Sequence, residues 1–459
     1  SEATDTAMPL TKVLLLGTGL VARPLVRYLL DLGTVFLTTA SRTVSRSEKM
    51  LEGDKNAKAV ALDVSQPDAM DKMTALIREN DIIVSLLPPE FHVKVAEVCI
   101  KYKKNMATTS YVSPAMKALD GPAKEAGVVI VNECGVDPGI DHMSAMRVIH
   151  NVQKDGGVVK FFRSSTGALP AQEANTNPYG YKFSWAPRGV LLASRNSAKF
   201  FRDGELVDIP GPELFKNYFF ADIKGVGVFE NYPNRDSCPY KELYGLEGCD
   251  TVYRGTLRNP GWCETMLAVA ELGWLGLEAL DNLEERTFGA MTAALIGEPS
   301  ARGDTLVRLV AEKVKVPYYS AAMKRLEWLK LFGDEALPAG KDAPLDCLNV
   351  VSLEMMPLPP GERDMIVMHH EFGVEYRDGR PAEFLTATLV DYGQPEGDTS
   401  VARTVALPCA IAVRMIAEGV ISAPGVHCPV APEMYNPILD ELEPQGVKFK
   451  ETRGPWVRK

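Results

Sequence analysis

Lys12–Ala22 reads K-V-L-L-L-G-T-G-L-V-A, and no other stretch narrows the folding choices of this chain so far. Val13–Leu16 is a short apolar run of the kind buried on both faces of a parallel sheet. Gly17 turns the chain tightly, Gly19 lets a ligand approach the backbone, and Ala22 stands where G-x-G-x-x-G/A has its third small residue. Leu20–Leu30 continues at helical spacing, so its first N–H groups and the positive end of its dipole face the turn. Strand, glycine turn and helix in that order make a site for a dinucleotide pyrophosphate, held by Gly17, Thr18, Gly19, Leu20 and Val21. A purely structural turn is the competing reading.

The next segment chooses the cofactor. Thr34–Thr39 predicts the second strand, ending in Ala40-Ser41-Arg42-Thr43. A site for NAD places Asp or Glu here, about 20 residues past the glycines, to hold the ribose 2′-hydroxyl. No acid lies between Thr34 and Val44. Ser41 and Arg42 offer a hydroxyl and a guanidinium, the partners a 2′-phosphate wants, so NADP(H) is the expected cofactor. An ordinary surface arginine is the alternative for Arg42. Ala59–Leu62 then reads as a strand running into Asp63-Val64, near the adenine in such folds. Pro67–Arg78 predicts a helix, Asp81–Leu87 a strand stopped by Pro88-Pro89, and Phe91–Lys101 an amphipathic helix. Asn105–Ser110 and Val128–Asn132 complete an alternation that predicts an α/β fold, a Rossmann-type doubly wound parallel sheet.

Beyond residue 132 the pattern changes. Glu133–His142 is a loop with two glycines, a proline and two aspartates, leading into a helix His142–Val152. Val158–Thr166, Lys224–Glu230, Thr251–Leu257, Arg363–Tyr376 and Glu383–Tyr392 read as strands of a mixed α/β domain. Cys263–Lys341 is almost purely helical in its spacing, with Trp and Met as core residues. Ser400–Glu418 is a helix rich in small residues, suited to packing back on the first domain. The expected division is 8–132 with 400–459 for the nucleotide, 133–262 with 342–399 as a second, mixed α/β domain, and 263–341 as a small all-helical domain.

Composition excludes several classes. The net charge is −10, and no basic run or aromatic–basic interleaving suggests nucleic acid as a partner. No apolar run approaches the ~18–20 residues of a membrane span, which predicts a soluble protein. Ser1–Ala7 is polar and unlike a signal peptide, and Met8 reads as the natural start. The eight cysteines are scattered without a C-x-x-C, as expected of thiols in a reducing cytoplasm. His369-His370 lies in an alternating segment that points neighbours to opposite faces, and no metal signature is present. For a polar, multiply acidic substrate, Arg235 and Arg258 could supply guanidinium forks; surface ion pairs are their other reading.

The chain resembles the NADP-dependent, glutamate-forming saccharopine dehydrogenases (saccharopine reductases) of the fungal α-aminoadipate route to lysine. The likeness rests on G-T-G-L-V-A, T-T-S-Y-V-S-P-A-M at Thr108–Met116 and E-C-G-V-D-P-G-I-D-H at Glu133–His142. It continues in G-Y-K-F-S-W at Gly180–Trp185, Y-P-N-R-D-S at Tyr232–Ser237 and Y-R-G-T-L-R at Tyr253–Arg258. Cys134 departs from the pattern where relatives may carry an apolar residue. The resemblance implies that Ser110, Tyr111, Asp137, Arg235, Thr256, Leu257 and Arg258 line a saccharopine site. It also implies that Ser41, Arg42, Thr43, Asp63, Val64, Ser85, Thr108, Thr109, Ser110, Val136 and Trp185 line the NADP(H) site. The implied reaction condenses α-aminoadipate δ-semialdehyde with glutamate and reduces the imine, in a homodimer; the resemblance also implies that the mixed domain serves substrate and dimer contacts and that the helical domain is a lid. Asp137 and Tyr111 are the candidates for proton transfer, although either could simply bind substrate, and the substrate amine could carry the proton itself. A length of 459 residues leaves no room for the lysine–ketoglutarate reductase that plants and animals fuse to a related domain. A related imine reductase acting on another amine and a non-catalytic NADPH-binding regulator are the competing functions.

Overall fold

The computed structural model describes residues 9–281, 283 and 285–457; Ser1–Ala7 and Met8 lie outside them. In chain order the strands are β1 (Thr11–Leu16), β2 (Val35–Ser41), β3 (Ala57–Ala61), β4 (Ile82–Ser85), β5 (Asn105–Thr108), β6 (Val129–Val131), β7 (Gly157–Pro170) and β8 (Ala198–Arg202). They continue as β9 (Glu205–Ile209), β10 (Phe219–Ile223), β11 (Gly227–Pro233), β12 (Thr251–Arg258), β13 (Asp364–Tyr376), β14 (Glu383–Tyr392), β15 (Gly425–His427) and β16 (Phe449–Pro455). The chain divides into two compact units, Ser1–Asn151 with Gly397–Lys448 and Val152–Glu396 with Phe449–Lys459.

The first unit is built on a 7-stranded sheet in the order β15-β6-β5-β4-β1-β2-β3. Every pairing in it is parallel. Leu14, Leu15, Leu16, Ile83 and Val84 are fully buried, which is why these strands are continuously apolar rather than alternating. Each such side chain contributes about 1.5–3 kcal/mol to burial. The order reverses at β1, flanked by β2 and β4, and such a switch point opens a crevice at the carboxyl edge of the strands.

The helix Ser400–Ala417 amends one expectation. It is 18 residues long with a mean hydropathy of 1.5, so length and composition alone would allow a membrane span, yet 78% of it is buried inside the protein. It packs on the helix Arg23–Asp31 as a core helix of the first unit.

The second unit carries a 9-stranded mixed sheet, β10-β11-β12-β7-β13-β14-β16 with the β8–β9 hairpin attached through β12. Only β7–β12 is parallel; the other neighbours run antiparallel. The stretch 263–341 lies within this unit, and Trp262, Trp274, Leu306 and Leu326 share one apolar core with Tyr181, Phe183 and Phe200.

Two expected boundaries move. The loop after residue 132 stays with the first unit, because Glu133 N–H donates to Ser110 O and Cys134 N–H to Thr108 O, extending β5. The tail 449–455, expected with the nucleotide segment, is β16 and pairs along β14 in the second sheet. Lys224–Val226, expected inside a strand, is the turn between β10 and β11. His369 Nδ1 meets Thr388 Oγ1 at 2.8 Å, while buried His370 stacks on Phe449 at 5.6 Å between ring centres.

Candidate active site

In the first unit the site begins at the turn after β1. Gly17 has φ +93°, and a Cβ there would lie 3.0 Å from Leu86 O, so both conformation and the nearness of the β4 end require glycine. Gly19 differs: a Cβ would meet nothing within 4 Å. Among the described residues no neighbour crowds that position, so a ligand could approach the backbone there. The helix expected from Leu20 begins at Arg23 instead, with Pro24 in its first turn and Ala22 at its N-cap. Thr18–Val21 thus form an open turn in which Leu20 is 63% exposed. These features fit a bound dinucleotide.

Thr18 is buried and bonds Ser47 Oγ at 2.9 Å; Ser47 Oγ in turn meets Ser41 Oγ at 2.8 Å. Ser47, which the sequence reading missed, therefore fastens the glycine turn to the end of β2. Arg42 and Thr43 are exposed beyond it, and Arg42 makes no ion pair among the described residues. Asp63 folds back on its own turn, accepting from Ser65 N–H at 3.0 Å and Ser65 Oγ–H at 2.7 Å. These bonds hold its carboxyl below the usual range, and Arg42 adds a weaker pull. Val64 is half-buried beside it.

At the ends of β4 and β5 the side chains turn inward. Ser85 and Thr108 are fully buried, and Thr108 Oγ1 donates to Ser85 O at 2.8 Å. Thr109 lies against Gly135, where a Cβ would come within 3.1 Å of it. Ser110 and Tyr111 follow, half-buried. Their backbone is held by Glu133, whose Oε1 accepts from Val112 N–H at 2.8 Å and whose Oε2 meets His142 Nε2 at 2.5 Å.

The loop Gly135–Asp141 closes on itself. Gly135 N–H donates to Pro138 O, Ile140 N–H to Gly135 O and Asp141 N–H to Val136 O. At Gly139 a Cβ would sit 2.0 Å from Gly135 O, so no other residue fits. The carboxylate that stabilises this turn is Asp141, which accepts from Gly139 N–H at 2.6 Å and His142 N–H at 2.8 Å. Asp137 is not used that way in these bonds: Tyr111 Oη donates to its Oδ1 at 3.3 Å, and both side chains, with Val136, remain half-buried. The two candidates for proton transfer are adjacent. Cys134 is fully buried, donating to Pro408 O at 3.3 Å, and burial pushes its thiol well above the usual range, which makes it an inert packing residue.

In the second unit Arg258 ends β12, only 6% exposed. Its guanidinium lies 5.0 Å from the Tyr181 ring centre and 5.3 Å from that of Trp262. Nη1 donates to Leu257 O at 2.9 Å, Nε has no partner, and no acid pairs with it among the described residues. The acid opposite in register, Glu230, is committed elsewhere: it accepts from Gly261 N–H at 2.6 Å and Cys263 N–H at 2.7 Å at the start of the helix Trp262–Glu271. A buried cation beside two aromatic rings, with an N–H unused, calls for an anion.

Thr256 is half-buried and Leu257 fully buried on the same strand. Arg235 is exposed in a left-handed turn (φ +54°) whose carbonyl accepts from Lys199 N–H. Trp185 packs over Gly189, where a Cβ would come within 2.9 Å of the indole.

Known proteins now decide the family. The profile "Saccharopine dehydrogenase NADP binding domain" matches residues 13–131, and "Saccharopine dehydrogenase C-terminal domain" matches residues 135–447. This chain belongs to the saccharopine dehydrogenase family. Among its relatives, the Schizosaccharomyces pombe saccharopine dehydrogenase [NADP(+), L-glutamate-forming] is 40% identical over 96% of this chain and 98% of its own length. The mitochondrial alpha-aminoadipic semialdehyde synthase of Bos taurus is 35% identical over 95% of this chain but only 47% of its own.

Among solved structures, the apo saccharopine dehydrogenase (L-Glu forming) of Saccharomyces cerevisiae superposes with a TM-score of 0.85 at 36% identity, covering 97% of this chain and all of that one. A Legionella pneumophila homospermidine synthase shares the fold at a TM-score of 0.57 and 10% identity, over 97% of this chain and 92% of its own. This chain is an NADP-dependent oxidoreductase of that family, with a Rossmann-like nucleotide unit.

Proposed function

We propose that this enzyme catalyses the reversible, NADPH-dependent condensation of L-α-aminoadipate δ-semialdehyde with L-glutamate to saccharopine, in lysine biosynthesis. The observation that carries the substrate class is Arg258, a buried guanidinium that no acid pairs with among the described residues. Saccharopine has three carboxylates, and a fork at Arg258, with Arg235 as a second cation, suits them. NADPH, when bound, supplies a hydride to the imine carbon. Gly17, Gly19 and the turn to Val21 would hold its pyrophosphate, with Ser41 and Arg42 at the 2′-phosphate. Asp137 holds the substrate amine as a counter-charge, and Tyr111, donating to Asp137, keeps that carboxylate oriented. Water exclusion and positioning then do most of the work, since hydride transfer needs chiefly geometry.

A polycationic amine, as in polyamine synthesis, would face the Arg258 cation directly, and a regulator without chemistry has no use for it. The test is absorbance-monitored NADPH oxidation with glutamate plus the semialdehyde, and NADP+ reduction with saccharopine. Turnover in both directions with NADP(H) strongly preferred over NAD(H) is expected; inertness toward saccharopine overturns the reading. The unpaired state of all eight cysteines supports a cytoplasmic location. Exposed Leu206, Phe220 and Val228 on β9–β11 support a homodimer, which sedimentation would check.

A further inference from the structure

A hydrogen-bonded chain that the reading above leaves unused crosses the carboxyl edge of β4 and β5. Ser85 Oγ meets His92 Nδ1 at 2.9 Å, and His92 Nε2 meets Ser110 Oγ at 2.7 Å. Ser85 is fully buried and His92 is 4% exposed, so water does not compete with these contacts. Burial pushes the imidazole down to about 4, so the ring is neutral at ordinary pH and carries one N–H.

The direction of the chain follows from counting donors. The Ser85 hydroxyl has no partner other than Nδ1 among the described residues, so its hydrogen is satisfied only if it donates there. Nδ1 is then the acceptor and Nε2 carries the proton, which it gives to Ser110 Oγ. The Ser110 hydroxyl hydrogen must point away from the ring. Ser110 itself is half-buried, and its hydroxyl meets no acceptor among the described residues.

We propose that His92 is a positioning residue: through Ser85 and its own Nε2–H it turns Ser110 into a directed donor for an acceptor oxygen of a bound reactant, either a substrate carboxylate or the cofactor carboxamide. The inference rests on the saccharopine reading of the site. Ser110 becomes a one-way donor, with His92 supporting it from behind.

The test is steady-state oxidation of saccharopine by NADP+, run on the unchanged protein and on Ser110→Ala, His92→Asn, His92→Gln and the double variant Ser110→Ala/His92→Asn. An Asn amide reaches the Nδ1 position and satisfies Ser85 but falls short of Ser110; a Gln amide reaches the Nε2 position. Ser110→Ala and His92→Asn should each raise KM for the same reactant by roughly 10–100-fold, with the double variant no worse than either alone. His92→Gln should recover most of the loss. A rise confined to saccharopine identifies the substrate carboxylate as acceptor, and a rise confined to NADP+ identifies the carboxamide. If His92→Asn keeps both KM values, if Asn and Gln behave alike, or if the losses multiply in the double variant, His92 merely fills the core and the proposal falls. If the unchanged protein does not oxidise saccharopine at all, the functional reading fails first and takes this one with it.

Discussion

Arg258, Asp137 and His92 are the single side chains on which the proposed chemistry turns. The Arg258 guanidinium lies 5.0 and 5.3 Å from the ring centres of Tyr181 and Trp262, which are themselves 4.8 Å apart, so it rests against the ring pair. Lysine keeps the charge but neither stacks nor forks, so Arg258→Lys should raise KM for saccharopine by about 10–100-fold while NADPH affinity, read by calorimetry, holds. Asp137 is a sharper case, because the turn around it is stabilised by Asp141. Asp137→Asn should therefore leave the melting temperature nearly unchanged. If Asp137 binds the amine, KM rises and kcat is largely kept. A kcat fall of about 10²–10⁴ with loss of one limb of the pH profile would instead make it the proton-transfer group. His92 also carries a pH signature. Its ring is held neutral by burial at about 4 against an unfolded value of 6.5. The unfolded chain thus binds a proton first, and stability should fall as pH drops from about 6.5 toward about 4. His92→Gln should flatten that part of a pH–denaturation curve; an unchanged curve would show that His92 is not the group responsible.

Among the elements, the loop Gly135–Asp141 and the β8–β9 hairpin teach opposite lessons. The loop was legible as an irregular, glycine-containing segment, but its necessity is geometric: Gly139 sits almost on top of Gly135. Gly139→Ala places a Cβ 2.0 Å from Gly135 O, so the loop must open and Asp137 must leave Tyr111. The expected result is loss of saccharopine turnover of at least roughly 10²-fold with NADPH binding retained, measured by fluorescence titration beside activity. Normal turnover would show that the loop adapts. The hairpin was missed although its signal was present: Asp203-Gly204 takes positive φ at both residues (51° and 84°), the turn that Asp-Gly favours between strands. The Lys224–Val226 turn hid for a different reason, since its Val reads as a strand residue until Phe219–Ile223 is seen to pair back on Gly227–Pro233.

On the scale of the molecule, the chain leaves its nucleotide unit at about residue 152, returns to it at 397 and ends as a strand of the other unit. That last strand has a consequence. β16 covers the edge of β14, Phe449 stacks on His370, and Trp456 occupies the space left by Gly373. Deleting residues 449–457 should bare a strand edge, lower hydrogen-exchange protection across β13–β14 and promote aggregation, while NADPH binding persists. Undiminished protection of β13–β14 would contradict this. The sequence by itself determined the parallel Rossmann-type sheet and the NADP cofactor, and it nominated the candidate site residues. Those rest on local chemistry: a glycine turn between strand and helix, an acid missing from its usual place, and short motifs dense in polar residues. Only the tertiary structure decided that Glu230 caps a helix and leaves Arg258 without an acid among the described residues, that Ser47 joins two turns, that Asp141 accepts from Gly139 N–H and His142 N–H in its loop, and that His92 stands behind Ser110. Each of those depends on which hydrogen-bond partners remain once the backbone has closed, and local spacing alone did not reveal it.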